Sequence, residues 1–273
     1  MAEEAWVVDG PQIIEVEAVH SLRAALVGGR VDVVGRDEPG ARIEVHRVHG
    51  RPLEVSLDGG ELRVGYSFTL GGWDGVLERL KRLKASDAVD IHIAVQRDVA
   101  VKLAAVTADG LVADITGEVS VSTVSGSLVT DGTHGDLRAN AVSGELALRA
   151  HEGTLRANSV SGSITTTGRF GDVDVSSVSG SVTVDATGLR GASLGTVSGD
   201  VTVRVPDTLG MSVAARTVSG RVVVDGAEQG GTGPLRGVVD VVTGDGSCRL
   251  QVRTVSGHLT VLRQQAARWS VVS

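Results

Sequence analysis

The tripeptide Val-Ser-Gly recurs seven times in one register, and no other feature of the chain restricts its fold so strongly. Copies begin at Val124, Val142, Val160, Val178, Val197, Val218 and Val255. The first four are 18 residues apart; the next gaps are 19, 21 and 37, the last enclosing a degenerate Val242-Thr243-Gly244. A half-period of nine is set by Gly117, Gly126, Gly135, Gly144, Gly153, Gly162, Gly171 and Gly180. Counted from each Gly, apolar residues return at the second, often the fourth, and the seventh position, as in Val119, Val121 and Val124. Alternation at the second and fourth positions is the period of a strand with one buried face. Glycine then supplies a corner where a Cβ would clash or φ must be positive. Each nine-residue unit therefore reads as a short strand plus a turn.

The structural residues of the array are Ser125, Gly126, Ser143, Gly144, Ser161, Gly162, Ser179, Gly180, Ser198, Gly199, Ser219, Gly220, Ser256 and Gly257. Two topologies accommodate them. In a β-solenoid, two units form an 18-residue coil and like residues stack in columns about 4.8 Å apart. In a meander, successive units pair as antiparallel hairpins. Identity is stronger at 18 than at nine, which favours the solenoid. The serines would then form a ladder at one corner, bonding neighbouring rungs or turn backbone. The expected fold is all-β: an elongated, β-helix- or β-roll-like solenoid with one short helical insert.

Composition agrees with this reading. There are 37 Gly but only three Trp, one Tyr and two Phe, as a narrow Val- and Leu-filled coil requires. A helical bundle would need long runs of helix formers, and a hydrophobic fraction of 41% argues against disorder. Net charge is −7, so the chain lacks the basic footprint of a nucleic-acid binder. Cys248 is the single cysteine, which forbids an internal disulfide or a thiolate metal cage. The start at Met1 shows no signal-like apolar run and no stretch is long enough to span a bilayer, so the expected location is cytoplasmic, with peripheral membrane contact open.

One elongated domain over 1–273 is expected: an irregular β portion over 5–116, regular repeats over 117–263 and a tail over 264–273. The irregular portion alternates at Ile13–Val19, Val31–Val34, Ile43–Val48, Glu61–Val64 and Val89–Val95. An insert over 66–86 breaks the pattern, with Phe68 and Trp73 followed by Val76, Leu77, Leu80 and Leu83 on one helical face. Arg79, Lys81, Arg82 and Lys84 occupy the rest of that helix. It either caps the solenoid against edge pairing or offers Phe68, Trp73 and the four cations to a protein or an anionic bilayer.

The array resembles a widespread bacterial family of β-strand repeats of unknown function, the adhesin-labelled Toastrack domains. The residues that carry the resemblance are Thr123-Val124-Ser125-Gly126, Ser177-Val178-Ser179-Gly180-Ser181-Val182, Thr196-Val197-Ser198-Gly199-Asp200-Val201 and Thr254-Val255-Ser256-Gly257. It extends over about residues 5–263. It implies a solenoid-like fold without established catalytic residues, and an association with envelope-stress systems at the bacterial membrane.

Sites of chemistry are hard to find in the residues themselves. Seven equivalent serines without a Gly-x-Ser-x-Gly elbow read as structure, not as a nucleophile. Calcium-binding nonapeptide rolls need paired glycines and facing carboxylates, whereas Asp136, Asp172 and Asp200 follow single glycines. Asp172 and Asp174 share a strand face as glycosidase carboxylates could, but no aromatic platform adjoins them. His46 and His49 point to opposite faces of a strand. Thr165-Thr166-Thr167 is one isolated tract. No catalytic residue, metal or cofactor is expected. The expected function is a non-enzymatic scaffold with a protein partner, a membrane protein included, and self-association left open; a surface adhesin and a carbohydrate-active enzyme are the alternatives.

Overall fold

The computed structural model describes residues 4–66, 87–229 and 237–264. The expected insert over 66–86, with its short helix, lies, apart from Tyr66, outside the described residues, as do 265–273 of the tail. The chain groups into two compact units, Met1–His151 and Glu152–Ser273.

In the first unit, strand register decides for the solenoid. Val119–Thr123 lies parallel to Ala100–Ala105 with Val119 beside Val101, and parallel to His134–Ala141 with Val119 beside Leu137. Leu128–Asp131 lies parallel to Asp109–Ala113 and to the start of Leu146–Ser159. Each coil thus gives one strand to each side of a continuous wrapped sheet, and an 18-residue step returns a side chain to its own column. Alternate residues point inward. Val101, Leu103, Val119, Val121, Leu128, Leu137 and Leu146 are each at most 2% exposed, every such side chain contributing about 1.5–3 kcal/mol.

The irregular portion of this unit contains the same coil. Ser21–Leu26 and Gly28–Arg36 stack on Ala100–Ala105 and Asp109–Ala113 in parallel. A further coil, Glu61–Gly65 and Ala88–Gln96, stacks on the other side of it. Beyond that the direction reverses: Leu53–Asp58 and Ala41–His49 pair antiparallel, followed by Glu4–Val8 and Gln12–Val16. The alternating runs are strands, but the loss of the 18-residue period marks this antiparallel ending.

The second unit repeats the parallel coil. Ile164–Ser177 runs beside Val182–Thr196 with Ile164 against Val182 and Val173 against Ala192. The offset changes from 18 to 19 at Gly168/Arg169, where one extra residue is accommodated; Thr187 donates its hydroxyl to the Gly168 carbonyl there. That bulge accounts for the 19-residue gap in the repeat.

The 37-residue gap has a topological cause. Cys248–Thr254 lies between Val182–Thr196 and Met211–Arg216, parallel to both. Leu259–Gln264 likewise lies between Val201–Pro206 and Val222–Val224. The coil latest in sequence is therefore intercalated between two earlier ones. Before returning, the chain forms Val238–Thr243, antiparallel on Met211–Arg216. Val242-Thr243-Gly244 is thus the end of this antiparallel strand and not a degenerate rung.

The two corners of a coil differ physically. At Val-Ser-Gly, a Cβ on Gly199 would sit 2.0 Å from the Gly180 carbonyl oxygen, on Gly257 2.0 Å from that of Gly199, and on Gly220 1.9 Å from that of Gly257. The glycine is required by close stacking, not by φ. At the other corner the chain runs through as one strand, Leu146–Ser159 or Ile164–Ser177, bending at glycines such as Gly153, whose φ is 143°.

Candidate interaction surface

At the repeat corner, the residue before Val-Ser-Gly turns inward and the valine turns out. Thr123, Ala141, Ser159, Ser177, Thr196 and Thr254 are buried. Except at Ala141, the hydroxyl bonds the glycine three residues on: Ser159 donates to the Gly162 carbonyl at 2.7 Å, and Thr196 accepts from the Gly199 N–H at 2.9 Å. An inward hydroxyl is thereby satisfied without water. Valine at the seventh position, although apolar like the core positions, is exposed. Val160, Val178, Val197 and Val255 are 47–49% exposed and Val218 is 79% exposed.

The repeat serines are engaged with neighbouring coils. Ser143 donates to the Val124 carbonyl at 3.0 Å, Ser179 to Val160 at 3.2 Å and Ser256 to Val197 at 3.3 Å. Ser125, Ser198 and Ser219 donate to Val106, Val178 and Val255 in the same manner. The surface beside them in the second unit is a ridge of Val160, Val178, Val197, Val255 and Val218, one per coil at about 4.8 Å. Sequence periodicity could not separate this column from core, because valine serves both.

Phe68, Trp73, Arg79, Lys81, Arg82 and Lys84 lie outside the described residues. The neck from which their segment leaves is well defined. Arg51 donates to Asp87 from its backbone N–H at 3.1 Å and from Nε at 2.8 Å, with Nη2 at 2.5 Å. Its guanidinium lies 5.5 Å from the Tyr66 ring centre. Tyr66 and Asp87, at opposite ends of 67–86, are each 2% exposed. Burial pushes the Tyr66 phenol up, aided by Asp87 and opposed by Arg51. A Cβ on Gly50, at φ +90°, would meet Asp87 Oδ1 at 2.3 Å, so the clamp also requires this glycine. The sequence offered no signal for the clamp, since its three members are far apart in the chain.

Charges are placed differently in the two units. In the first, Arg23, Arg30, Arg42, Arg47, Arg51, Arg63, Arg97 and Arg138 each have a carboxylate partner. In the second, the described ion pairs are Arg190–Asp172 and Arg263–Asp225. Asp172, one of the two strand carboxylates considered for glycoside cleavage, is thus paired at 3.1 Å with an exposed arginine. Among the described residues no group of three His, Cys, Asp or Glu is placed to hold a metal ion. Cys248 is fully buried, which pushes its thiol up to about 11. Thr165 is less isolated than its tract suggests, for it aligns with Thr183, Thr202 and Thr260 in successive coils. That column is flanked by Asp185 and Arg204, so the face is charged.

Comparison with solved structures gives matches of low identity. A provisionally named adhesin from Parabacteroides distasonis is 13% identical over 96% of this chain and 97% of its own, with a TM-score of 0.49. A provisionally named lipid-binding protein from the same organism is 12% identical over 93% and 95%, with a TM-score of 0.49. A provisionally named adhesin from Bacteroides fragilis is 11% identical over 96% and 97%, at 0.41. Curated proteins give no match. The Toastrack DUF4097 model matches residues 98–262, and the chain belongs to that family.

Proposed function

We propose that the chain is a non-enzymatic β-repeat scaffold that holds a protein partner against its repeat surface. The observation that carries this reading is the division of labour at the Val-Ser-Gly corner. Serine and glycine are engaged in stacking the coils, while valine is left as an exposed apolar ridge in the second unit. Apolar rows of this kind on a soluble surface mark contact sites. The residues 67–86, with their aromatics and cations, leave from a neck pinned by Arg51, as a second contact element would need. A place near the bacterial membrane in envelope-stress signalling is the setting implied by the family association.

Capture of partners from native cells tests the reading. The full chain, Val178→Lys with Val197→Lys, and a chain lacking 67–86 serve as baits. Loss of a specific partner by the ridge variant, with its melting temperature unchanged, is the expected result. Equal capture by all three baits contradicts it. Fractionation of the same cells tests the setting: recovery with the membrane fraction, released by salt, is expected, and recovery in the medium alone favours the adhesin reading.

A further inference from the structure

We propose that Arg216 and Arg253 of the second unit form a receptor for a carboxylate carried by an extended acidic polypeptide; this rests on the interaction reading above and names the chemistry of the partner. The two arginines are directly opposed in register on neighbouring parallel strands. Both are exposed on the outer face, because Ala215, Val252 and Thr254 beside them in sequence are buried. Like charges directly opposite one another are destabilising, so such a pair calls for an anion. None of the described carboxylates pairs with either. The nearest in register is Asp240, opposite Ala214, and among the described residues it makes no ion pair. Residues 230–236 and 265–273 contain no Asp or Glu.

The first unit contains the same arrangement with its anion built in. Arg23 and Arg63 are also directly opposed on neighbouring parallel strands. There Glu61, two residues before Arg63, bridges both: Arg23 Nε lies 2.6 Å from its Oε1 and Arg63 Nη2 3.1 Å from its Oε2. Hydrogen bonding to Arg63 is the main cause that holds the Glu61 carboxyl below its usual range. The positions two before Arg216 and Arg253 are Ala214 and Gln251, neither of which can act as Glu61 does. Room for a ligand is also present. The other neighbour of Arg253 is Gly195, where the closest atom to an added Cβ is Ser176 Oγ at 3.8 Å.

The same face discriminates among anions. Aromatic rings that would stack on a sugar are absent from its described residues; Trp6 and Tyr66 belong to the first unit and Phe170 is buried. Asp172, Asp174 and Asp240 share the face, so a flat anionic bilayer would cover them together with the arginines, whereas a single extended chain can seat on the arginine pair beside them. Val238, opposite Arg216 and 39% exposed, offers an apolar neighbour to a peptide side chain. An extended acidic segment fits these features, because its alternate residues can present carboxylates to one side.

The test is anisotropy of a short fluorescein-labelled peptide of alternating Glu and Ala, titrated with the full chain at low ionic strength. Arg216→Gln and Arg253→Gln should each weaken binding about tenfold, as loss of one charge-assisted hydrogen bond implies. Ala214→Glu should abolish binding by supplying the missing internal carboxylate, without lowering the melting temperature. Thr202→Glu, with the same charge change on the other side of the coil, should bind like the wild type. No binding by the wild type, full binding by the double Gln variant, or equal binding by Ala214→Glu and Thr202→Glu would overturn the proposal. So would stronger retention of a polyuronate oligosaccharide or phosphatidylserine vesicles than of the peptide. Failure here with ridge-dependent partner capture intact removes the arginine site and leaves the scaffold reading standing.

Discussion

The two units are built from the same parallel coil but use their charged residues in opposite ways. The first contains 23 acidic and 15 basic residues, the second 10 and 11. In the first, eight arginines are bound to carboxylates, several of them holding antiparallel strands that no longer obey the 18-residue period. In the second, Arg156, Arg169, Arg204, Arg216, Arg221, Arg249 and Arg253 make no ion pair among the described residues. Regular coils can be held by glycine stacking and a hydroxyl at each corner, which leaves surface charge available for other uses. Where the repeat decays, charge pairs and a buried clamp take over part of the task.

The largest effect that would break this contrast comes from the clamp. Arg51→Ala strands the buried Asp87 carboxylate, a loss of about 3 kcal/mol. The first unit should melt roughly 6–12 °C lower, read by differential scanning calorimetry. Arg190→Ala, which removes an ion pair exposed on both sides, should change stability by less than about 0.5 kcal/mol. Equal losses in the two variants would erase the distinction.

The corner glycines sharpen it next. Gly199→Ala forces a Cβ to 2.0 Å from a carbonyl oxygen and should cost about 2–3 kcal/mol in urea unfolding. Gly195→Ala, with 3.8 Å of clearance on the strand that leads into this corner, should be neutral or slightly stabilising. Thr196→Val, which leaves the Gly199 N–H without its 2.9 Å acceptor, should cost about 1–2 kcal/mol. Ser179→Ala, at an exposed bond of 3.2 Å, should cost about 0.5 kcal/mol.

At Cys248 the effect is confined to alkaline pH and is silent at neutral pH. Its raised thiol favours the protonated folded state, so this contribution is complete below about pH 9.0 and is lost as pH rises toward about 11. Native protein should resist alkylation by iodoacetamide at pH 8 and react fully only when unfolded. Rapid labelling of the native chain would contradict the buried placement.

Much of the coil was legible from residues alone, because glycine at nine-residue intervals and valine two and four positions later leave few alternatives. The seventh-position valine was ambiguous, since an exposed and a buried valine look alike in sequence and only the Thr or Ser before it reveals which side faces in. The intercalated last coil was also hidden: a gap of 37 residues looks like a decayed repeat whether or not the chain doubles back. Candidate surfaces were less legible still. The Arg216–Arg253 pair joins residues 37 apart, and the Arg51–Asp87 clamp joins residues 36 apart.

The most direct test of the contrast between units is amide hydrogen exchange of the full chain in low and high salt, resolved by unit. Screening weakens ion pairs, so protection of Ala41–His49 and Ala88–Gln96 in the first unit should fall with salt. Protection of Met211–Arg216 and Cys248–Thr254 in the second should hold or rise as repulsion between Arg216 and Arg253 is screened. A parallel fall in both units would contradict the account.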